Sequence, residues 1–177
     1  VVEDACIDFS DADEIFQVMR SWLYRLKYAE LLKTNRKDMK DTVVWQIESG
    51  LKLSSEDIAH AELKRTKLFD RVSEFFDSYD FFVGSTVQVL PFDVTKPYVS
   101  EIEGVVMETY IDWMKACYWI TATGCPAISV PCGFSKEGLP VGLQIVGRFR
   151  DDYKLLQLSA AFEQSTKKWM INRELYT

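Results

Sequence analysis

The stretch Gly124–Gly147, GCPAISVPCGFSKEGLPVGLQIVG, decides how this chain is read. It divides into two apolar runs, Ala127–Phe134 and Leu139–Gly147, joined by Ser135-Lys136-Glu137-Gly138. The runs predict two strands and the tetrapeptide a tight connection, with Gly138 free to take the positive φ that closes a hairpin. Both runs are apolar along nearly their whole length, as strands covered on both faces are. The few helices of this chain could provide that cover only if the sheet belongs to a larger body.

Working outward, Ser10-Asp11-Ala12-Asp13 predicts a helix start with acids in the first turn. Ile15, Met19, Trp22, Leu26 and Ala29 then recur at helical spacing as far as about Lys33. Lys33–Asp41 reads as a polar connection. Thr42–Ile47 reads as a short apolar helix or turn ending at Ser49-Gly50, where glycine suits a C-cap. Ser54-Ser55-Glu56-Asp57 opens the clearest helix, running to about Ser78. Its apolar face is Ile58, Ala61, Leu68, Val72 and Phe75, with Arg65 the exception on that stripe. Phe81–Leu90 is a strand candidate bounded by Asp80 and Pro91. Phe92–Glu103 reads as irregular, and Met107, Tyr110, Met114 and Cys117 suggest another helix facing a core. A final helix starts at Asp151-Asp152, runs through Leu155, Leu158 and Phe162, and is followed by Lys167-Lys168, whose charge complements the helix dipole.

Helix, strand, helix, hairpin, helix is an α/β order. No repeat or linker divides it, so residues 1–177 read as one structural unit, and an incomplete one. A globular domain of this length buries roughly 70% of its unfolded surface, and the 47% hydrophobic content excludes disorder as a whole-chain description. The net charge of −6 argues against nucleic acid as a partner. Cys6, Cys117, Cys125 and Cys132 show no CxxC spacing and read as buried reduced thiols, which with the absence of a signal peptide gives a cytoplasmic expectation. Val1-Val2 followed by acids reads as the tail of a strand rather than a natural start. Gly124, Pro126 and Pro131 break the longest uncharged stretch, so no membrane crossing is expected.

The chemistry of a self-sufficient enzyme is missing. His60, the only histidine, falls in a helix beside Glu56 and Asp57 and reads as a surface residue. With one histidine and no closely paired thiols, no metal site is expected. There is no GxSxG elbow and no GxGxxG or GxxxxGK[ST] phosphate cradle, and no cofactor is implied. Gly84-Ser85-Thr86 has no base near it in sequence. Asp11/Asp13 and Asp151/Asp152 stand at helix starts, where capping and dipole effects account for them. Cys125 and Cys132 would need an activating partner that the sequence does not offer. No catalytic residue is assigned.

Thr123–Pro131, TGCPAISVP, resembles the TGxPAxSVP segment of the amidase signature family, and Gly138–Gly147, GLPVGLQIVG, resembles its GLPVGLQxVG segment. Tyr79–Val83 and Val87–Pro91 are similar to the family's preceding strand and proline-containing loop. The helix from Ser55, with Ala61 and Arg65 in A-x-x-x-R spacing, fits the element before that. The match covers most of residues 45–165 and keeps the family's order.

The resemblance implies the C-terminal part of the amidase fold, a mixed β-sheet sandwiched between helical layers. It implies hydrolysis of a carboxamide C–N bond to carboxylate plus ammonia or amine. The family's serine nucleophile, bridging serine and lysine belong to an upstream GGSSGGS-like region that this sequence lacks. Activity would then need the N-terminal portion of the same amidase as partner, with a small-molecule amide as substrate and a homodimer as one possible assembly. This chain would supply sheet scaffold and pocket wall. Residues 92–123 would border the acyl or leaving-group channel, with Tyr110, Asp112 and Trp113 as candidate substrate-lining residues. Core packing at helical spacing is the other reading of Tyr110 and Trp113. In the ammonia-transferring amidotransferase branch, an aspartate before TGxPA holds the substrate amine; Asp112 fits with a one- or two-residue gap. That branch commonly carries Asn where Thr121 stands, which favours a stand-alone amidase. A non-catalytic interaction module is the reading from a different class, and an exposed sheet edge or apolar patch would support it.

Overall fold

A computed structural model describes residues 1–167. Residues 1–9 form no strand, and Val1 and Val2 are exposed, while Ile7 and Phe9 pack into the core. Helix α1 (Ala12–Asn35) carries Asp13 and Glu14 in its first turn. Asp11, at φ 71°, makes no side-chain cap there. Its carboxylate instead lies 3.8 Å from Lys64 and 3.7 Å from Arg71 on the third helix. A short 3-10 turn (Arg36–Asp38) leads to α2 (Asp41–Leu51) and then α3 (Ser55–Ser78). A reciprocal cap starts α3. The Asp57 N–H donates to Ser54 Oγ (3.1 Å) and the Ser54 N–H donates to the Asp57 carboxylate (2.8 Å). Along α3, Ala61, Leu68, Val72 and Phe76 are buried, whereas Arg65 stays outside and pairs with Glu62 (3.4 Å). Phe76 rather than Phe75 takes the fully buried position.

Strands β1 (Phe81–Ser85), β4 (Ala127–Phe134) and β5 (Pro140–Gly147) form an antiparallel sheet in the order β1-β5-β4. The hairpin turn is closed as expected, with Gly138 at φ 81° and its N–H donating to the Ser135 carbonyl (3.0 Å). Pro131 pairs with Gly142 and Gly133 with Val141, so Cys132 is left over as a bulge. Pro131 has no N–H for the ladder, and the bulge absorbs that loss. Between β1 and β4 lie a small hairpin of β2 (Glu101–Ile102) and β3 (Val105–Val106), a 3-10 turn (Asp112–Met114) and α4 (Lys115–Thr123). Helix α5 (Asp152–Thr166) follows the sheet. Lys167 closes it; Lys168 lies outside the described residues.

Three expectations are corrected. The strand predicted over Phe81–Leu90 stops at Ser85; the last main-chain link is from the Thr86 N–H to the Gly142 carbonyl (3.4 Å). The helix predicted from Met107 starts only at Lys115, because the Asp112 carboxylate accepts the Thr109 N–H (2.7 Å) and holds a turn there. Gly50 does not end α2 but sits inside it, buried against α1.

Helical layers cover the two faces of the sheet. Ile145 and Val146 are adjacent and only 2% and 1% exposed, so they must face opposite layers. Ile145 packs with Val130 and Leu155, with Leu158 and Phe162 beside them, on the α5 side. Val146 packs with Ile15, Leu68, Val72, Phe76 and Ile120 from α1, α3 and α4. Each such side chain contributes about 1.5–3 kcal/mol of burial. Double cover holds for β5 but not for β4, whose Ala127, Ser129 and Pro131 stay exposed on the second face.

Candidate functional site

A cleft opens where β1 ends beside the start of β5. Beyond β1 the chain from Ser85 to Phe92 leaves the sheet and bounds a cleft of about 500 Å³ against Trp113 and Pro140–Gly142. Trp113 meets Phe92 edge to face, ring centroids 5.4 Å apart, which fixes both apolar walls. The Thr86 and Ser129 hydroxyls are hydrogen-bonded at 2.8 Å across Gly142. A Cβ on Gly142 would come within 2.7 Å of both oxygens, so glycine is what lets the two hydroxyls meet. The wall is tied to α4 at two points. Gln88 Oε1 accepts the Ala116 N–H (3.3 Å), an otherwise orphaned first-turn donor, and Cys117 Sγ donates to the Thr86 carbonyl (3.1 Å). A second recess of about 300 Å³ also touches Ser85 and Gln88 and reaches Lys115, Trp119 and Gln144.

Charge in this region is already committed. The Asp13 carboxylate, at the start of α1, accepts from Tyr118 (2.5 Å), Trp119 Nε1 (2.8 Å) and Lys115 Nζ (3.3 Å). Burial pushes its carboxyl up, but the hydrogen bonds from Tyr118 and Trp119 and the Lys115 charge outweigh that and hold it below the ordinary range. Asp13 therefore joins α1 to α4, a role beyond the helix-dipole reading. Burial pushes the Cys117 and Cys125 thiols up, which favours their protonated form, whereas Cys6, expected to be buried, is exposed. His60 lies exposed, 3.9 Å from Glu56. Among the described residues no cluster of three or more His, Cys, Asp or Glu could hold a metal ion, and no helix is long and apolar enough to cross a membrane.

The three sequence candidates do not share one environment. Trp113 lines the cleft. Asp112 holds the Thr109 backbone. Tyr110 accepts from Arg20 (3.1 Å), donates to Gln46 (3.4 Å) and packs edge to face on Trp45. Sequence reasoning missed Gln88, Ser129 and Gly142; an isolated glycine inside an apolar strand was the available signal for the last. The arrangement can seat an apolar body against Trp113 and offer hydroxyl and amide groups to a polar one. Among the described residues it has no activated nucleophile and no free base beside the cleft.

The fold is an antiparallel sheet between helical layers, and comparisons with known proteins give its family. The amidase family profile matches residues 5–156. An acylamidase of Rhodococcus erythropolis is 30% identical over 138 residues, 77% of this chain and 28% of that protein. The A subunit of the glutamyl-tRNA(Gln) amidotransferase of Alkaliphilus metalliredigens is 39% identical over 100 residues, 56% of this chain and 19% of that protein. The crystal structure of a bacterial aryl acylamidase of the amidase signature enzymes superposes with a TM-score of 0.76 at 25% identity, covering 89% of this chain and 34% of that one. A 6-aminohexanoate cyclic dimer hydrolase shares the fold at a TM-score of 0.78 and 17% identity, covering 93% of this chain and 37% of that one. The chain belongs to the amidase family. It spans about a quarter of the length of these curated relatives.

Proposed function

We propose that this chain is the C-terminal portion of an amidase that hydrolyses a carboxamide to carboxylate plus ammonia or amine. The observation that carries the proposal is the amidase family match over residues 5–156, with the Trp113 cleft as the surface that would bear on substrate. In the reaction the C–N bond breaks, water supplies the hydroxyl to the carbonyl carbon, and its other proton leaves with the nitrogen. A serine and lysine from the N-terminal portion would form and resolve the acyl intermediate. The present residues would hold the substrate's apolar body on Trp113 and Phe92, while Asp112 and Tyr110 position that segment. The outer edge of β4 has no strand partner among the described residues, which supports further sheet being added there. The identity to the amidotransferase relative favours a second reading, a component of an ammonia-transferring enzyme. Thr121, exposed on α4 and donating to the Cys117 carbonyl (3.2 Å), weighs against it.

The test is ammonia release from a panel of small alkyl and aryl amides, with denaturing mass of the same sample. The purified chain is expected to release none, and coexpression with the N-terminal portion is expected to give activity. Trp113→Ala in the reconstituted enzyme should raise KM roughly tenfold and change kcat less. Ammonia release by the chain alone would sink the proposal, and an unchanged KM would remove Trp113 from the pocket.

A further inference from the structure

A larger cavity, about 710 Å³, lies between α1 and α3, with the end of α4 and Phe149 closing it. It shares no lining residue with the Trp113 cleft. Its walls are mostly apolar, including Phe16, Trp22, Leu23, Phe69 and Phe149, and its size falls within the range of small-molecule sites.

Arg20 is the polar feature that stands out in it. The guanidinium lies 4.7 Å from the centre of the Tyr24 ring and 5.8 Å from that of Phe16. Nε donates to Gln46 Oε1 (3.2 Å), and one terminal nitrogen donates to the Tyr24 and Tyr110 hydroxyls (3.0 and 3.1 Å). All three acceptors are neutral, and no carboxylate among the described residues lies within ion-pair distance of Arg20. Glu62, the acid on the cavity wall, is paired with Arg65. The second terminal nitrogen has no acceptor, yet no buried side-chain nitrogen is left unsatisfied, so it opens to solvent. This half-buried cation, held by three neutral acceptors and two rings, keeps one edge of its fork free, the geometry in which an arginine receives a carboxylate.

We propose that this cavity binds a small amphipathic carboxylate, its apolar body among the aromatic side chains and its carboxylate on the free edge of Arg20. The proposal stands independently of the amide reading. Because Tyr110 shares Arg20 and lies three residues before Trp113, an occupied cavity would bear on the segment that forms the cleft wall.

The test is calorimetric titration of the 177-residue chain with 4-phenylbutyrate and with the uncharged 4-phenylbutanol, together with amide chemical-shift mapping. The acid should bind at least about tenfold more tightly than the alcohol, the worth of one charge-assisted hydrogen bond. Its shifts should centre on Trp22, Thr66, Phe69 and Phe149. Arg20→Gln should bring the acid down to the alcohol's affinity and leave the alcohol unchanged. Thr66→Trp, which keeps the arginine and its partners, should weaken binding of both by placing an indole in the cavity. Equal affinity for acid and alcohol, binding unaffected by Thr66→Trp, shifts centred elsewhere, or no binding at all would each overturn the proposal. If Arg20→Gln fails to fold, the alcohol control and Thr66→Trp still decide.

Discussion

Gly50→Ala should destabilise the protein by about 3 kcal/mol or more, although alanine is the better helix former. Propensity alone predicts a gain of roughly 0.5–1 kcal/mol for this change inside a helix. Contact decides otherwise. A Cβ at Gly50 would stand 2.0 Å from the Ser21 carbonyl oxygen, 2.8 Å from its carbon and 2.9 Å from Arg25 Cβ. Two of these atoms are backbone, so no rotamer can move them aside; α2 would have to back away from α1. That displacement would also pull on Gln46, which is fully buried and donates to Ser21 Oγ (2.5 Å) while accepting from Arg20. Urea unfolding followed by circular dichroism measures the change, with Ser49→Ala on the adjacent, half-buried position as comparison. A Gly50→Ala protein as stable as the parent would mean that the two helices do not touch there.

The same residue shows where sequence reading loses its grip. Gly50 followed by Leu-Lys-Leu-Ser fits a helix end as well as a helix crossing, because the crossing is defined by Ser21 and Arg25 of α1, which lie 25 or more residues away. The hairpin was legible because its determinants are local: apolar runs, a polar turn and a glycine at positive φ. The start of α3 was legible for the same reason, since Ser54 and Asp57 satisfy each other within one turn. The end of β1 was not. Val87-Gln88-Val89-Leu90 has strand composition, but a strand needs a neighbour, and this segment leaves β5 after Thr86, while Val141 and Pro140 pair only with β4. Trp113, named on the family resemblance as a substrate-lining candidate, lines the cleft. Gln88 and Ser129 acquire meaning only once α4 and β1 are brought beside the hairpin. Arg20 and Gln46 read as ordinary helix residues, and Tyr110 joins them from 64 positions beyond Gln46.

Asp13→Ala should cost about 2–4 kcal/mol at neutral pH, and the cost should shrink in acid. The substitution removes the acceptor of the Tyr118 hydroxyl and the Trp119 indole N–H, and leaves the Lys115 ammonium without its counter-charge. Tyr118 is 3% exposed, so its hydroxyl has little water to turn to; the carboxylate side is half-exposed, which keeps the loss below that of a fully buried site. The sign of the pH dependence follows from the depressed carboxyl. The folded protein holds Asp13 ionised at pH values where the unfolded chain has begun to protonate it, so the stabilisation is complete above the ordinary carboxylate value, near ~3.9. It is lost as pH falls through the lower folded value. Asp8, Asp57, Asp80 and Asp93 are depressed as well, by hydrogen bonds from their own neighbours, but they are present in both proteins and cancel in the difference. Unfolding free energies of parent and Asp13→Ala at pH 7, 5 and 3.5 should therefore converge toward the acid end. Asp13→Asn, which keeps an acceptor and gives up the charge, should fall between them at pH 7. A gap that stays constant across that range would assign Asp13 to packing and remove its charge from the account of how α4 is held against α1.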